Sequence, residues 1–175
     1  MKFYFSLLAF CLFAVNGLQA QQFSAKASVT LVEASEVPEA VKTSQEQHFP
    51  GMIVRQWKMQ TYQGSRTAPV NYLAVFNNQG KNTRARYLAD GQGISTYTNY
   101  RPQALPPAIV QTLNTDYAGY TPTGAALVGS LHNDWEAFHI SLRKGGQKLS
   151  FWLTTEGDLI NPRELPQQIE EEVTE

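Results

Sequence analysis

The sequence predicts an α+β fold: a tandem repeat of a helix followed by a four-stranded antiparallel sheet, with the helices on one face. Three observations predict it. Matched positions recur at an offset of 68 and then 66 residues. Two stretches carry single apolar stripes of helical period. Alternating strand patterns separated by glycine turns follow each stripe.

The matches run in order along the chain. Val37-Pro38-Glu39-Ala40-Val41 corresponds to Leu105-Pro106-Pro107-Ala108-Ile109, and at the same offset Phe49 meets Tyr117 and Gly51 meets Gly119. After a two-residue indel, Tyr72, Ala74 and Phe76 meet Phe138, Ile140 and Leu142, and Gly80, Tyr87, Gly91 and Ile94 meet Gly146, Leu153, Gly157 and Ile160. Single matches are cheap; an ordered series is not.

Each copy opens with a helix. Val37, Ala40, Val41, Ser44, His48 and Phe49 form the first stripe, and Leu105, Ala108, Ile109, Thr112, Leu113, Asp116 and Tyr117 the second. Pro38 and Pro106 suit a first helical turn, and Gly51 and Gly119 a left-handed stop. Strands are expected at 53–62, 70–76, 83–88 and 94–98, then at 123–129, 135–142, 148–154 and near Leu159. Asn77-Asn78-Gln79-Gly80, Ala89-Asp90-Gly91-Gln92-Gly93, Lys144-Gly145-Gly146 and Glu156-Gly157-Asp158 read as hairpin turns. Ser28 to Val32 reads as an extra leading strand. The sequence leaves open whether the strands make one sheet or two.

The termini divide the rest. Residues 1–20 read as a signal peptide: Lys2, an apolar run from Phe3 to Val15, then small residues at Gly17 and Ala20. The run is too short for a membrane span. The only cysteine, Cys11, lies inside it, so the mature chain is expected to hold no disulfide, thiolate metal site or cysteine nucleophile. Residues 21–36 form an N-terminal segment, 37–99 the first copy, 100–161 the second, and 162–175 an acidic tail or capping helix. From Gln21 to Arg163 there are 13 basic and 10 acidic residues, a net of +3, whereas Glu164 to Glu175 carries five acids and no base. No basic stripe of the kind nucleic acid requires is present.

Catalytic patterns are absent. There is no Gly-x-Ser-x-Gly elbow and no Gly-rich phosphate loop before a helix, and paired carboxylates for glycoside chemistry are unsupported, since Asp90, Glu156 and Asp158 lie in glycine turns. His132, Asp134 and Glu136 would share a strand face if extended and could then hold a metal, but Asn133-Asp134 reads as a turn, so no metal or cofactor is expected. His48 falls on the helix stripe and is read as core. The leftover aromatic and arginine residues are more informative, because a sheet with helices on one face leaves the other open, and Trp, Tyr and Arg dominate interface energies. The residues expected to be exposed there are Trp57, Arg84, Arg86, Trp135 and Trp152.

These residues resemble the two-repeat PepSY-like periplasmic proteins, whose fold is that of the β-lactamase inhibitory protein. The resemblance rests on Val37-Pro38 to Val41, Phe49-Pro50-Gly51, Tyr72 to Phe76 and Asp90-Gly91, then on Leu105-Pro106 to Ile109, Tyr117-Ala118-Gly119, Phe138 to Leu142 and Glu156-Gly157. It spans Val37 to Ile160. The second copy departs at Trp135-Glu136 and Thr154-Thr155-Glu156. The resemblance implies an exported, non-catalytic binding or inhibitory module, and it carries no catalytic residues. With the leader and the aromatic and arginine set, the expectation is a periplasmic or secreted module that presents a sheet face to a protein or peptide of the cell envelope. It does not imply inhibition of a β-lactamase, because a fold alone does not carry function. The alternatives are a small-ligand or envelope-stress sensor, with a compact molecule held between the copies, and a hydrolase whose site is assembled in space.

Overall fold

The structure, a computed structural model, describes residues 27–62 and 69–166. The leader, Cys11 and the tail beyond Pro166 lie outside the described residues. In chain order the elements are β1 (Ala27–Val32), α1 (Glu39–His48), β2 (Val54–Tyr62), β3 (Asn71–Asn78), β4 (Lys81–Leu88), β5 (Gly93–Asn99), α2 (Pro107–Asp116), β6 (Thr121–Ser130), β7 (Glu136–Lys144), β8 (Gln147–Leu153) and β9 (Leu159–Ile160). Single helical turns stand before each helix and after β9.

Among the described residues there are nine strands, all in one sheet, side by side in chain order and antiparallel throughout. This corrects the expected tandem repeat of a helix and a four-stranded sheet. The dominant element is a single nine-stranded sheet, with two ten-residue helices laid on it. The physical reason lies at β5 and β6, which pair from Ser95↔Ser130 to Asn99↔Ala126. Two separate sheets would each leave a row of unpaired backbone groups there, and joining them removes both edges. β1 is the extra leading strand read at Ser28 to Val32, and β9, expected near Leu159, is only two residues long.

The register places both helices on the same side of the sheet. Ala85 pairs with Thr96 and Thr96 with Gly129; Gly129 pairs with Glu136, two positions from Phe138. Side chains on one face recur every second residue, so Ala85 and Phe138 point the same way. Ala85 packs with Val37 and Val41 beside α1, together with Trp57, Ala74, Phe76 and Tyr87. Phe138 packs with Leu105 just ahead of α2 and with Ile109 and Leu113 of α2, together with Ile140, Leu142 and Leu153. The core thus has a layer between helices and sheet, with a cluster under each helix, and a further cluster on the other face around Ala126, Val128 and Ala137.

α1 buries polar groups as well: Ser44 and Gln45 lie under it alongside Val41. The Tyr87 hydroxyl donates to Gln45 Oε1 at 2.8 Å. Burial raises the Tyr87 phenol well above its usual pKa, so it remains a donor at any physiological pH. Tyr87→Phe therefore strands a buried amide oxygen and is expected to cost about 1–3 kcal/mol, read as a lower urea midpoint with an unchanged m-value.

The β3–β4 hairpin closes on Gln79 and Gly80, both at positive φ (51° and 79°). A two-residue loop of this geometry matches the strand twist but strains a residue with a Cβ, and asparagine tolerates it better than glutamine. Gln79→Asn is expected to stabilise the protein by about 0.5 kcal/mol, visible as a small rise in melting temperature.

Candidate functional face

The face away from the helices is not uniform. Over β2 to β5 it is closed: Gln60, Asn71, Leu73, Arg86 and Ser95 are all at most 3% exposed. The Asn71 amide donates to Gln60 Oε1 at 3.2 Å, and Arg86 Nε donates to Ser95 Oγ at 3.2 Å. Buried polar groups of this kind are held by one another, which fixes the strands in register.

From β5 to β8 the face is only partly covered: Tyr97, Trp135 and His139 are half-buried. Its floor is small: Ala126 and Val128 on β6 and Ala137 on β7 are buried. Bulky side chains lean over that floor from either side. Tyr97 comes from β5, Trp152 from β8, and Trp135 from the loop just ahead of β7; Ile160 and Leu165 pack in from the C-terminal end. The Arg84 guanidinium lies 5.2 Å from the Tyr97 ring centre, a cation–π arrangement. Trp135 and Trp152 rings are 6.2 Å apart and tilted by 55°.

His139 belongs to the same surface. The pair His139↔Trp152 puts imidazole beside indole, with ring centres 4.9 Å apart. His139 Nε2 lies 2.6 Å from Ser150 Oγ. Burial lowers the His139 pKa below the usual imidazole value. The folded state thus favours the neutral ring. Its contribution to stability is complete above the unfolded-state pKa of about 6.5 and is lost as the pH falls toward the folded-state value. Acidification from about pH 7 to 5 is therefore expected to destabilise the wild type more than His139→Gln, a difference checked by urea midpoints at both pH values.

The five residues read from the sequence as an exposed set divide between the two sides. Arg84 and Trp135 lie half-buried on the less covered part of this face, whereas Trp152 is on the expected side but only 6% exposed, so its expected exposure is corrected: its ring packs over the Ala126, Val128 and Ala137 floor. Trp57 pairs with Ala74 on the helix side and is 9% exposed, so its expected exposure is corrected: α1 needs a large apolar partner beneath Val41. Arg86 is on the expected side but buried at 2%, within the closed polar row. His48, expected in the core, is exposed on α1, with Nδ1 2.8 Å from the Ser44 carbonyl oxygen.

His132, Asn133 and Asp134 fall in the bend between β6 and β7, so the extended His-Asp-Glu array does not form. Among the described residues no group of three or more His, Cys, Asp or Glu side chains is placed to hold a metal ion. None of the described helices is long and apolar enough to cross a membrane. Sequence reasoning missed His139 and Ser150, which meet only through the β7–β8 register, with Ser141 opposite Ser150. The signal that could have found them is the alternation of His139 and Ser141 with Phe138, Ile140 and Leu142.

The fold is similar to several solved structures. A BLIP-like protein from Bacteroides fragilis aligns at 16% identity with a TM-score of 0.59, over 71% of this chain and 84% of that one. A DUF2874 family protein from Bacteroides uniformis aligns at 18% identity and a TM-score of 0.55, over 71% and 86%. A protein from Bacteroides eggerthii, described as a proposed periplasmic protein, aligns at 17% and 0.52, again over 71% and 86%. The likeness is one of fold, and nothing in it bears on the PepSY-like assignment. No protein-family model and no curated protein matches the sequence.

Proposed function

We propose that this chain is an exported, non-catalytic module of the periplasm that binds a protein or peptide partner through the partly covered sheet face between Arg84 and Trp152. The observation that carries the reading is the clustering of Tyr97, Trp135 and Trp152, with Arg84 and His139, over a floor of alanine and valine. Rigid aromatic rings beside small residues offer ridges and a depression, which is how hot spots are built. The apolar leader and the fold shared with a protein described as periplasmic support the location.

The test is capture from a cell-envelope extract, with the captured protein then titrated against variants. Tyr97→Ala with Trp135→Ala is expected to weaken binding by at least about tenfold, while Ile53→Ala, at an 84% exposed site away from this face, leaves it unchanged. Equal affinity of the double variant and the wild type would end the proposal.

One observation favours a small-ligand reading. A cavity of about 310 Å³ beside α2 is lined by Leu105, Val110, Leu113, Tyr117, Tyr120 and Leu142. Binding of an apolar dye that Val110→Trp abolishes, with partner capture unaffected, would place ligand recognition there instead.

A further inference from the structure

β1 is an edge strand with no covering device among the described residues. Its outer side pairs with no described strand. Edges are usually blunted by charge, proline or a bulge. Ala27-Ser28-Val29-Thr30-Leu31-Val32 has none of these: it is uncharged, and its six pairs with β2 run without a shift. Val29 is 44% exposed and Leu31 68%. Leu31 pairs with Lys58, and Trp57 next to it points toward the helices, so Val29 and Leu31 both lie on the face away from them.

The strand is complementary to itself. Residues directly opposite in an antiparallel pair share a face. A two-fold axis through Thr30 sets Thr30 against Thr30, Val29 against Leu31, and Ser28 against Val32. Both exposed apolar side chains then meet apolar partners, and the threonines form a cross-strand pair of a favourable kind. An axis through Val29 would instead leave Leu31 against Ala27. The opposite edge is less suited: β9 covers β8 only at Trp152 and Leu153, and the rest of the outer side of β8, from Gln147 to Phe151, carries Lys148, a charge of the kind that blunts an edge. The pairing that brings no charged residue into the new ladder is β1 against β1, and that pairing closes on itself.

We propose that two copies of this chain associate edge to edge through β1, antiparallel and centred on Thr30, making one eighteen-stranded sheet across the dimer. A contact confined to one strand and its side chains is small, so the association is weak, with a dissociation constant on the order of 10 µM. The inference is independent of the partner-binding face over β5 to β8.

Sedimentation equilibrium from about 1 to 100 µM, spanning that constant on both sides, reads the association directly. The expected result is a reversible monomer–dimer equilibrium that Leu31→Lys shifts at least tenfold toward monomer. The lysine is tolerated by the fold because the site is exposed. In a Cys11→Ser background, Thr30→Cys is expected to form a disulfide-linked dimer under mild oxidation. Paired residues on neighbouring antiparallel strands have Cα atoms about 4.5–5.5 Å apart, inside the span a disulfide bridges. Val29→Cys, off the axis, is expected not to link. A monomer at the highest concentration overturns the proposal. So does a dimer indifferent to Leu31→Lys, or one that links through Val29→Cys and not through Thr30→Cys.

Discussion

Gly157→Ala is expected to lower the melting temperature by about 6–12 °C, equivalent to about 3 kcal/mol for a chain of this size. Two independent costs combine. Gly157 has φ of +94°, a conformation an L side chain resists. A Cβ built there would also lie 2.7 Å from Thr112 Oγ1 and 2.9 Å from the Ala108 carbonyl oxygen, both on α2. The second obstacle is helix backbone, which cannot swing aside. Thr112 Oγ1 donates to the Gly157 carbonyl at 2.8 Å, so pushing the helix away also breaks the bond that docks the β8–β9 turn against it. Gly91 makes the same approach to α1, with φ of +91° and a virtual Cβ 2.6 Å from the Ala40 carbonyl oxygen. Gly91→Ala should fall in the same range, and calorimetry on both variants checks it. Gly145, at φ +56° with nothing within 4 Å of its virtual Cβ, separates the two costs, because alanine there meets strain alone.

Phe138→Ala is expected to cost about 3–5 kcal/mol, the range for truncating a buried aromatic residue. The ring is 1% exposed and sits where β7 meets α2, edge-on to Tyr100 at 5.1 Å between centres. Leu105, Ile109 and Leu153 surround it, so the walls are side chains already engaged elsewhere and cannot collapse fully into the void. Leu149, on the same face but 37% exposed, is the contrast: Leu149→Ala should cost no more than about 1 kcal/mol. Guanidinium titrations of the two variants give the comparison; equal midpoints would show that the cluster beneath α2 is not the core it is described as.

Much of the local structure was legible because it depends on short-range rules. The stripes from Val37 to Phe49 and from Leu105 to Tyr117 lie on the two helices and their flanks, and glycine turns at Gly80, Gly91 and Gly157 fall where positive φ is needed. The sheet was not legible as one object. Pairing of β5 with β6 joins residues about thirty positions apart across a helix, and no periodicity records which edges meet. The same blindness affected the candidate surface. Trp57 and Lys58 differ by one position yet face opposite sides, so placing the tryptophan needed the register of β2 against β3. Arg86 was assigned the correct side, but alternation says nothing about how deeply a face is covered.

The strand order has a kinetic consequence. Every described strand after β1 lies beside the one that precedes it in the chain, so only the pairings of β1 with β2 and of β5 with β6, each across a helix, join segments far apart. Closing each successive hairpin costs only the entropy of a short connection, apart from the two that carry a helix. Sheets usually fold slowly because their contacts are remote along the chain. This one is wired to zip, each new strand finding its template in the strand made just before it.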